Sequence, residues 1–167
     1  MDTDQAEIEM KQWNRLADRM DMFHNMFKDD FNQLYDLADG SFDKLGLGLS
    51  GYLQLAQSLI NHLTLHHNLE ERYIFPSLGE YLPQFSKSVN GAHLQSHHDI
   101  HEGLESLGSL VKKWSKDPSH YSPNEMRQCL DGFREVLFHH LDEEVRDLQG
   151  ENLMKYMTLQ DVNRITV

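Results

Sequence analysis

The chain has 167 residues, of which 39% are hydrophobic and 25% charged, and its formal net charge at pH 7 is -12. This length suits one domain with its own core, and the acidic balance argues against binding to nucleic acid or to an anionic membrane surface, since both need a basic face. Cys129 is the only cysteine, which excludes an internal disulfide and a thiolate metal cluster.

The sequence also predicts a cytoplasmic location. Its first residues, Met1-Asp2-Thr3-Asp4, are acidic where a secretion signal needs a basic start and an apolar run. No stretch approaches the roughly 20 apolar residues that a membrane-spanning helix needs. We therefore expect no membrane partner.

Two long helices are predicted in the first half of the chain, and strand signals are nearly absent. The first runs from about Ala6 to Leu37 and ends before a glycine cluster at 46–51. Its apolar stripe contains one histidine: Trp13, Ala17, Met20, His24, Phe27, Phe31 and Leu34. The second runs from about Tyr52 to Phe75, where Pro76 should end or kink it.

Two more helices are predicted in the second half. The third spans about Ala92 to Trp114, and the fourth continues to about Leu148. The fourth begins at Ser122-Pro123-Asn124-Glu125, with serine at the cap, proline in the first turn and glutamate three residues after the cap. The sequence thus predicts an all-α, antiparallel up-down four-helix bundle over about 6–148, with a short tail at 149–167, in a single domain 1–167.

Histidine is unusually abundant, with 11 in the chain and six of these in three adjacent pairs. The string His66-His67-Asn68-Leu69-Glu70-Glu71 recurs as His139-His140-Leu141-Asp142-Glu143-Glu144, on the second and fourth helices. Residues four apart lie on one face of a helix, so a His-x-x-x-Glu pair can direct an imidazole and a carboxylate to one point. His97 and His101 have the same spacing on the third helix, and His24 lies on the first.

Apolar neighbours predict which member of each pair faces inward. His140 and Glu144 share a face with Leu137, whereas the adjacent His139 and Glu143 do not. On the second helix both histidines have apolar neighbours, so the preference for His66 over His67 is narrow and the register stays open. The remaining histidines are interpreted as surface residues or as residues behind the ligands: His62, His67, His93, His98, His120 and His139.

The chemistry of these groups indicates a metal site. Imidazole nitrogen with carboxylate oxygen suits iron, manganese or zinc, and bridging carboxylates favour a two-metal centre. Leu137 and Leu141 are either core residues or the wall of a dry pocket for a small diatomic ligand.

Three motifs resemble those of hemerythrin-like proteins, also called the HHE cation-binding domain. They are the run from His66 to Pro76 with Glu70, the run His97-x-x-x-His101-Glu102-Gly103-Leu104, and His140-Leu141-x-x-Glu144, and the resemblance covers about His24 to Leu148. It implies two iron ions (Fe2+/Fe3+) that bind oxygen and that are oxo- or hydroxo-bridged when oxidised. By position it places His24 and His66 on one iron and His97, His101 and His140 on the other, with Glu70 and Glu144 bridging.

One departure puts an oxygen-carrier role in doubt. The oxygen-carrying members end with His-x-x-x-x-Asp, whereas this chain has His140-x-x-x-Glu144, the form of many relatives with other roles. We therefore expect a protein that reversibly binds or senses oxygen or iron. The alternatives are a di-iron enzyme acting on peroxide or a small substrate, with Tyr73 as proton donor, and a bundle whose metal stabilises a partner-binding surface.

Two other metal-enzyme classes are excluded by spacing. A ferritin-like oxidase needs Glu-x-x-His on two helices, and a zinc protease needs His-Glu-x-x-His. Neither pattern occurs in the sequence.

Overall fold

A computed structural model describes residues 3–88 and 91–166, and its regular structure within these ranges is helical, without strands. Four long helices correspond to those predicted: α1 (Thr3–Leu37), α2 (Gly48–Leu69), α4 (Ala92–Lys116) and α5 (Pro123–Asp147). Three short helices, α3 (Phe75–Leu78), α6 (Gly150–Leu153) and α7 (Leu159–Arg164), complete the α-helical elements. The all-α bundle prediction is confirmed. No helix in the described ranges has the length and apolar composition needed to cross a bilayer.

The start of α5 follows the predicted cap. The backbone N–H of Glu125 donates to Ser122 Oγ at 3.2 Å, and Pro123 is the first helical residue. Proline fits there because the first turn of a helix has no partner for the missing N–H.

The end of α2 changes its hydrogen-bond pattern. Residues Glu70–Ile74 form a π-helical turn, and the N–H of Phe75 donates to the carbonyl of Glu70, five residues back. The short helix α3 follows, with Pro76 in its first turn. A proline has no N–H for the carbonyl four residues earlier, so the α-helical pattern cannot pass through it unchanged. Single π turns inside helices are frequent at functional sites.

The chain divides into two compact units, each with a segment of every long helix. The first unit comprises the described residues of Met1–Asn25, Asn68–Gln95 and His139–Val167, and the second comprises Met26–His67 and Ser96–Phe138.

The core of the first unit includes the C-terminal tail. Leu153, Met157, Val162 and Ile165 are buried in one cluster with residues of α1 and with the segment around α3. The Arg15 guanidinium donates to the carbonyl oxygens of Val162 (2.8 Å) and Ile165 (2.7 Å). The tail is therefore a structural part of this unit, which the sequence pattern did not predict.

The core of the second unit is rich in aromatic residues. Phe42 stacks on Tyr52 with a centroid distance of 4.7 Å, and the Tyr52 hydroxyl donates to the Leu34 carbonyl at 2.6 Å. The Tyr121 hydroxyl donates to the Ala38 carbonyl, also at 2.6 Å. These bonds attach the end of α1 to the starts of α2 and α5.

Candidate metal centre

Within the described residues, the buried polar side chains are all histidines or glutamates. They are His24, His67, Glu70, His93, His97, His140 and Glu144, and each is at most 3% exposed. Burying an imidazole or a carboxylate is costly unless a partner group or a cation compensates for the lost water. So many such groups in the interior therefore indicate a binding site.

Four of these residues form a mixed cluster in the first unit: His24, Glu70, His140 and Glu144. Glu144 Oε2 lies 3.5 Å from Nε2 of His24 and 3.5 Å from Nε2 of His140. Glu70 has a carboxylate oxygen within 4.8 Å of a ring nitrogen of His24 and of one of His140. Two carboxylates thus approach the same two imidazoles, the arrangement expected of carboxylates that bridge metal ions.

A hydrogen bond to the backbone orients the ring of His24. Its Nδ1 donates to the Leu141 carbonyl at 2.8 Å. A carbonyl oxygen only accepts, so in the neutral ring Nδ1 carries the hydrogen and Nε2 carries the lone pair. That lone pair is on the nitrogen nearest Glu144, where a metal ligand needs it.

The electrostatics of the mixed cluster favour a cation. Burial raises the pKa of the Glu144 carboxyl well above its ordinary value, and the nearby Glu70 and Asp147 carboxylates raise it further. The ion pairs of Glu144 in the described residues are with the two imidazoles, not with a lysine or arginine. A bound metal ion would supply the missing positive charge, so the donors and the charge both fit a metal.

The second unit contains a histidine cluster made of His66, His67, His97 and His101. The rings of His67 and His97 stack with a centroid distance of 3.7 Å and an interplanar angle of 10°. His101 lies edge-on to His67 at 5.5 Å, and His66 lies 6.0 Å from His67 and 5.0 Å from Phe27. Imidazole is the commonest metal ligand among side chains, so this cluster offers a second set of nitrogen donors.

The residues predicted from sequence differ in burial. His24, Glu70, His97, His140 and Glu144 are buried, whereas His66 and His101 are half-buried. Leu137 and Leu141, the predicted pocket wall, are both fully buried.

Burial excludes a surface position for two of the remaining histidines. His67 is 0% and His93 3% exposed, while His62, His98, His120 and His139 are exposed. The four-residue spacing of Leu59, Leu63 and His67 along α2, all of them buried, is the sequence signal that could have identified His67.

Tyr73 does not fit its predicted role. Its side chain is 57% exposed, and the Arg72 guanidinium lies 5.2 Å from its ring centroid. A proton donor to a buried site needs contact with that site, so Tyr73 is a surface residue.

Comparisons with known proteins agree with this chemistry. The family model described as the hemerythrin HHE cation binding domain matches residues 15–150. The "Dimeric xanthone biosynthesis cluster protein R11" of Cryptosporiopsis sp. (strain 8999) is 30% identical over 130 residues, which is 78% of this chain and 47% of that protein. The chain thus spans about half the length of this relative. No solved structure gives a significant match.

Proposed function

Because the chain belongs to the hemerythrin HHE cation-binding family, we propose that it holds a pair of iron ions and uses them to bind or sense oxygen reversibly. The observation that carries this proposal is the position of Glu144, a fully buried carboxylate 3.5 Å from two buried imidazoles. Family membership gives the cation-binding chemistry, and the number and identity of the ions are our proposal.

The proposed ligands are the seven residues of the sequence prediction. They are five histidines and two glutamates: His24, His66, His97, His101, His140, Glu70 and Glu144. His67 joins them as a further candidate, because it is fully buried and has a ring nitrogen within 4.8 Å of one of His97. Five imidazoles with two carboxylates suit iron better than calcium or magnesium, which prefer oxygen ligands.

The protein groups have distinct roles in this proposal. When bound, the iron pair supplies the electrons for reversible oxygen binding. Glu70 and Glu144 balance its positive charge, and the Leu141 carbonyl keeps the His24 lone pair on Nε2. Leu137 and Leu141 provide apolar surface that excludes water from the ligand.

A second candidate is oxidation of a small organic substrate. It is supported by the name of the relative, a biosynthesis cluster protein, and by the His140-x-x-x-Glu144 spacing. Under this candidate the protein consumes oxygen instead of releasing it.

An absorption spectrum distinguishes the two candidates. The protein is loaded with Fe2+ without oxygen, exposed to air, returned to anaerobic conditions and exposed again. Reversible binding predicts a visible charge-transfer band that appears, disappears and reappears with equal intensity. Oxidation chemistry predicts a band that is lost after one cycle unless a reductant is added.

The matched control is Glu144→Gln, which keeps the shape of the side chain and removes its charge. This variant should give no visible charge-transfer band, either under anaerobic conditions or in air. A wild-type protein that binds no iron, or that shows the same spectrum as Glu144→Gln, would refute the proposed function.

A further inference from the structure

An imidazole and a carboxylate form a row of hydrogen bonds behind His140, and neither belongs to the proposed ligands. His93 Nδ1 lies 3.4 Å from His140 Nδ1, and His93 Nε2 lies 2.8 Å from Asp147 Oδ2. The three residues belong to the first unit, with His93 on α4 and the other two on α5.

The His93 ring has little freedom to turn. It is 3% exposed, and the rings of Phe85 and Phe75 lie 4.4 Å and 6.2 Å from its centroid. A polar ring in such surroundings keeps the orientation that satisfies its two nitrogens.

The position of each hydrogen follows from the Asp147 end of this row of hydrogen bonds. A carboxylate only accepts, so His93 Nε2 donates to Asp147. The neutral ring then has its lone pair on Nδ1, which accepts the hydrogen of His140 Nδ1. His140 is left with its lone pair on Nε2, the nitrogen 3.5 Å from Glu144 Oε2.

His24 has the same tautomer, which a single hydrogen bond fixes. Its Nδ1 donates directly to the Leu141 carbonyl, and its Nε2 also lies 3.5 Å from Glu144 Oε2. The two imidazoles of the mixed cluster therefore present the same nitrogen to the same carboxylate, one held by the backbone and the other by a pair of side chains.

We propose that His93 is a positioning residue for metal binding, which together with Asp147 holds His140 in the tautomer whose Nε2 lone pair can bind a cation. The claim about affinity rests on the proposed metal function, whereas the claim about the tautomer concerns the metal-free chain. Groups that orient a metal-binding histidine typically contribute about 10- to 100-fold to metal affinity.

Three variants test this role. His93→Leu keeps the apolar packing and removes the acceptor for His140. His93→Asn places an amide oxygen near the former Nδ1, where it can accept from His140 without reaching Asp147. Asp147→Asn changes only the outer end of the row, where the side chain is 23% exposed, so it should fold even where His93→Leu does not.

The first measurement is affinity for Zn2+ by competition with a chromophoric chelator. We expect a loss of about 10- to 100-fold for His93→Leu, a smaller loss for His93→Asn, and an intermediate one for Asp147→Asn. The matched control is His139→Asn, an exposed histidine next to His140 on α5, whose affinity should equal that of the wild type.

The second measurement is the tautomer of His140, read from ring 15N chemical shifts and long-range couplings in the metal-free protein. The wild type should carry hydrogen on Nδ1, and His93→Leu should shift the ring toward the form with hydrogen on Nε2. Asp147→Asn should shift it in the same direction but by less, because an amide oxygen can still accept from His93 and is a weaker acceptor than a carboxylate.

Several results would overturn the proposal. Hydrogen on Nε2 of His140 in the wild type would do so, as would a wild-type tautomer in both His93→Leu and Asp147→Asn. Equal Zn2+ affinity in these variants and in His139→Asn would also contradict it. A chain that binds no Zn2+ would refute the metal function, and the tautomer measurement would still decide the role of His93.

Discussion

The two copies of the His-His-x-x-Glu-Glu string have the same letters but different burial. In the second copy, only the second residue of each pair is buried. His139 is exposed and His140 is buried, while Glu143 is half-buried and Glu144 is buried. Glu143 pairs with Arg146 at the surface. The buried pair is therefore four residues apart, as in an undisturbed helix.

In the first copy the buried pair is His67 and Glu70, three residues apart. His66 and Glu71 are half-buried, so neither histidine of this doublet is a surface residue. The π turn begins at Glu70, and such a turn widens the helix and rotates the residues that follow. Spacing alone therefore identifies the buried His-Glu pair in the second copy, whereas in the first copy it leaves the choice of histidine open.

Removal of the metal should have the largest effect, because it leaves the carboxylates and imidazoles of both copies without their cation. A ligand at a thousand times its dissociation constant stabilises by about 4 kcal/mol, which for a chain of this size corresponds to a melting temperature about 10 °C higher. Thermal unfolding is measured before and after chelation, with metal loss verified by elemental analysis. An unchanged melting temperature after complete removal would show that the buried clusters do not depend on metal.

The glutamates of the second copy should differ most strongly among the substitutions. Glu144→Gln removes a charge shared by two imidazoles, so we expect bound metal to fall close to zero. Glu143→Gln removes only a surface pair with Arg146, and surface pairs contribute about 0–1 kcal/mol to stability. Metal content after desalting measures both, and equal losses would mean that the buried carboxylate has no special role.

The histidines of the second copy should show the same contrast with a smaller effect. His140→Ala removes one buried imidazole and should reduce the metal content toward one ion per chain or none. His139→Ala changes an exposed residue about 100° around the helix, so its metal content should equal that of the wild type. If His139→Ala loses metal and His140→Ala retains it, the register on α5 is wrong by one residue.

The histidines of the first copy should not separate in this way. His66 lies against Phe27, and His67 stacks on His97, so we expect both alanine variants to lower metal affinity, His67→Ala by more. Zn2+ titration of the two variants measures the difference. Wild-type affinity in His67→Ala together with a large loss in His66→Ala would restore the sequence register and weaken the argument from burial.

Much of the fold could be predicted because its signals are local. The proline and serine at the start of α5 form the predicted cap, and the apolar stripe of α1 is buried from Trp13 to Leu34. Such patterns depend only on helical periodicity and on the chemistry of helix ends.

The parts that could not be predicted depend on contacts distant in the sequence. The tail around Val162 has too few apolar residues to predict its burial, which comes from packing with α1 and from the Arg15 hydrogen bonds. His93 was interpreted only as a surface residue or one behind the ligands, since its link to Asp147 spans 54 positions. The π turn rotates the residues that follow Glu70, so the inward-facing residues there could not be predicted from the period of an undisturbed helix.

The iron content of the intact chain tests the proposed iron pair most directly. Wild-type protein and Glu144→Gln are loaded with excess Fe2+ without oxygen, desalted and analysed for iron against protein concentration. We predict about two ions per chain in the wild type, consistent with a pair of buried carboxylates near shared imidazoles, and close to none in the variant. Fewer than one ion in the wild type, or equal iron in the two proteins, would contradict it.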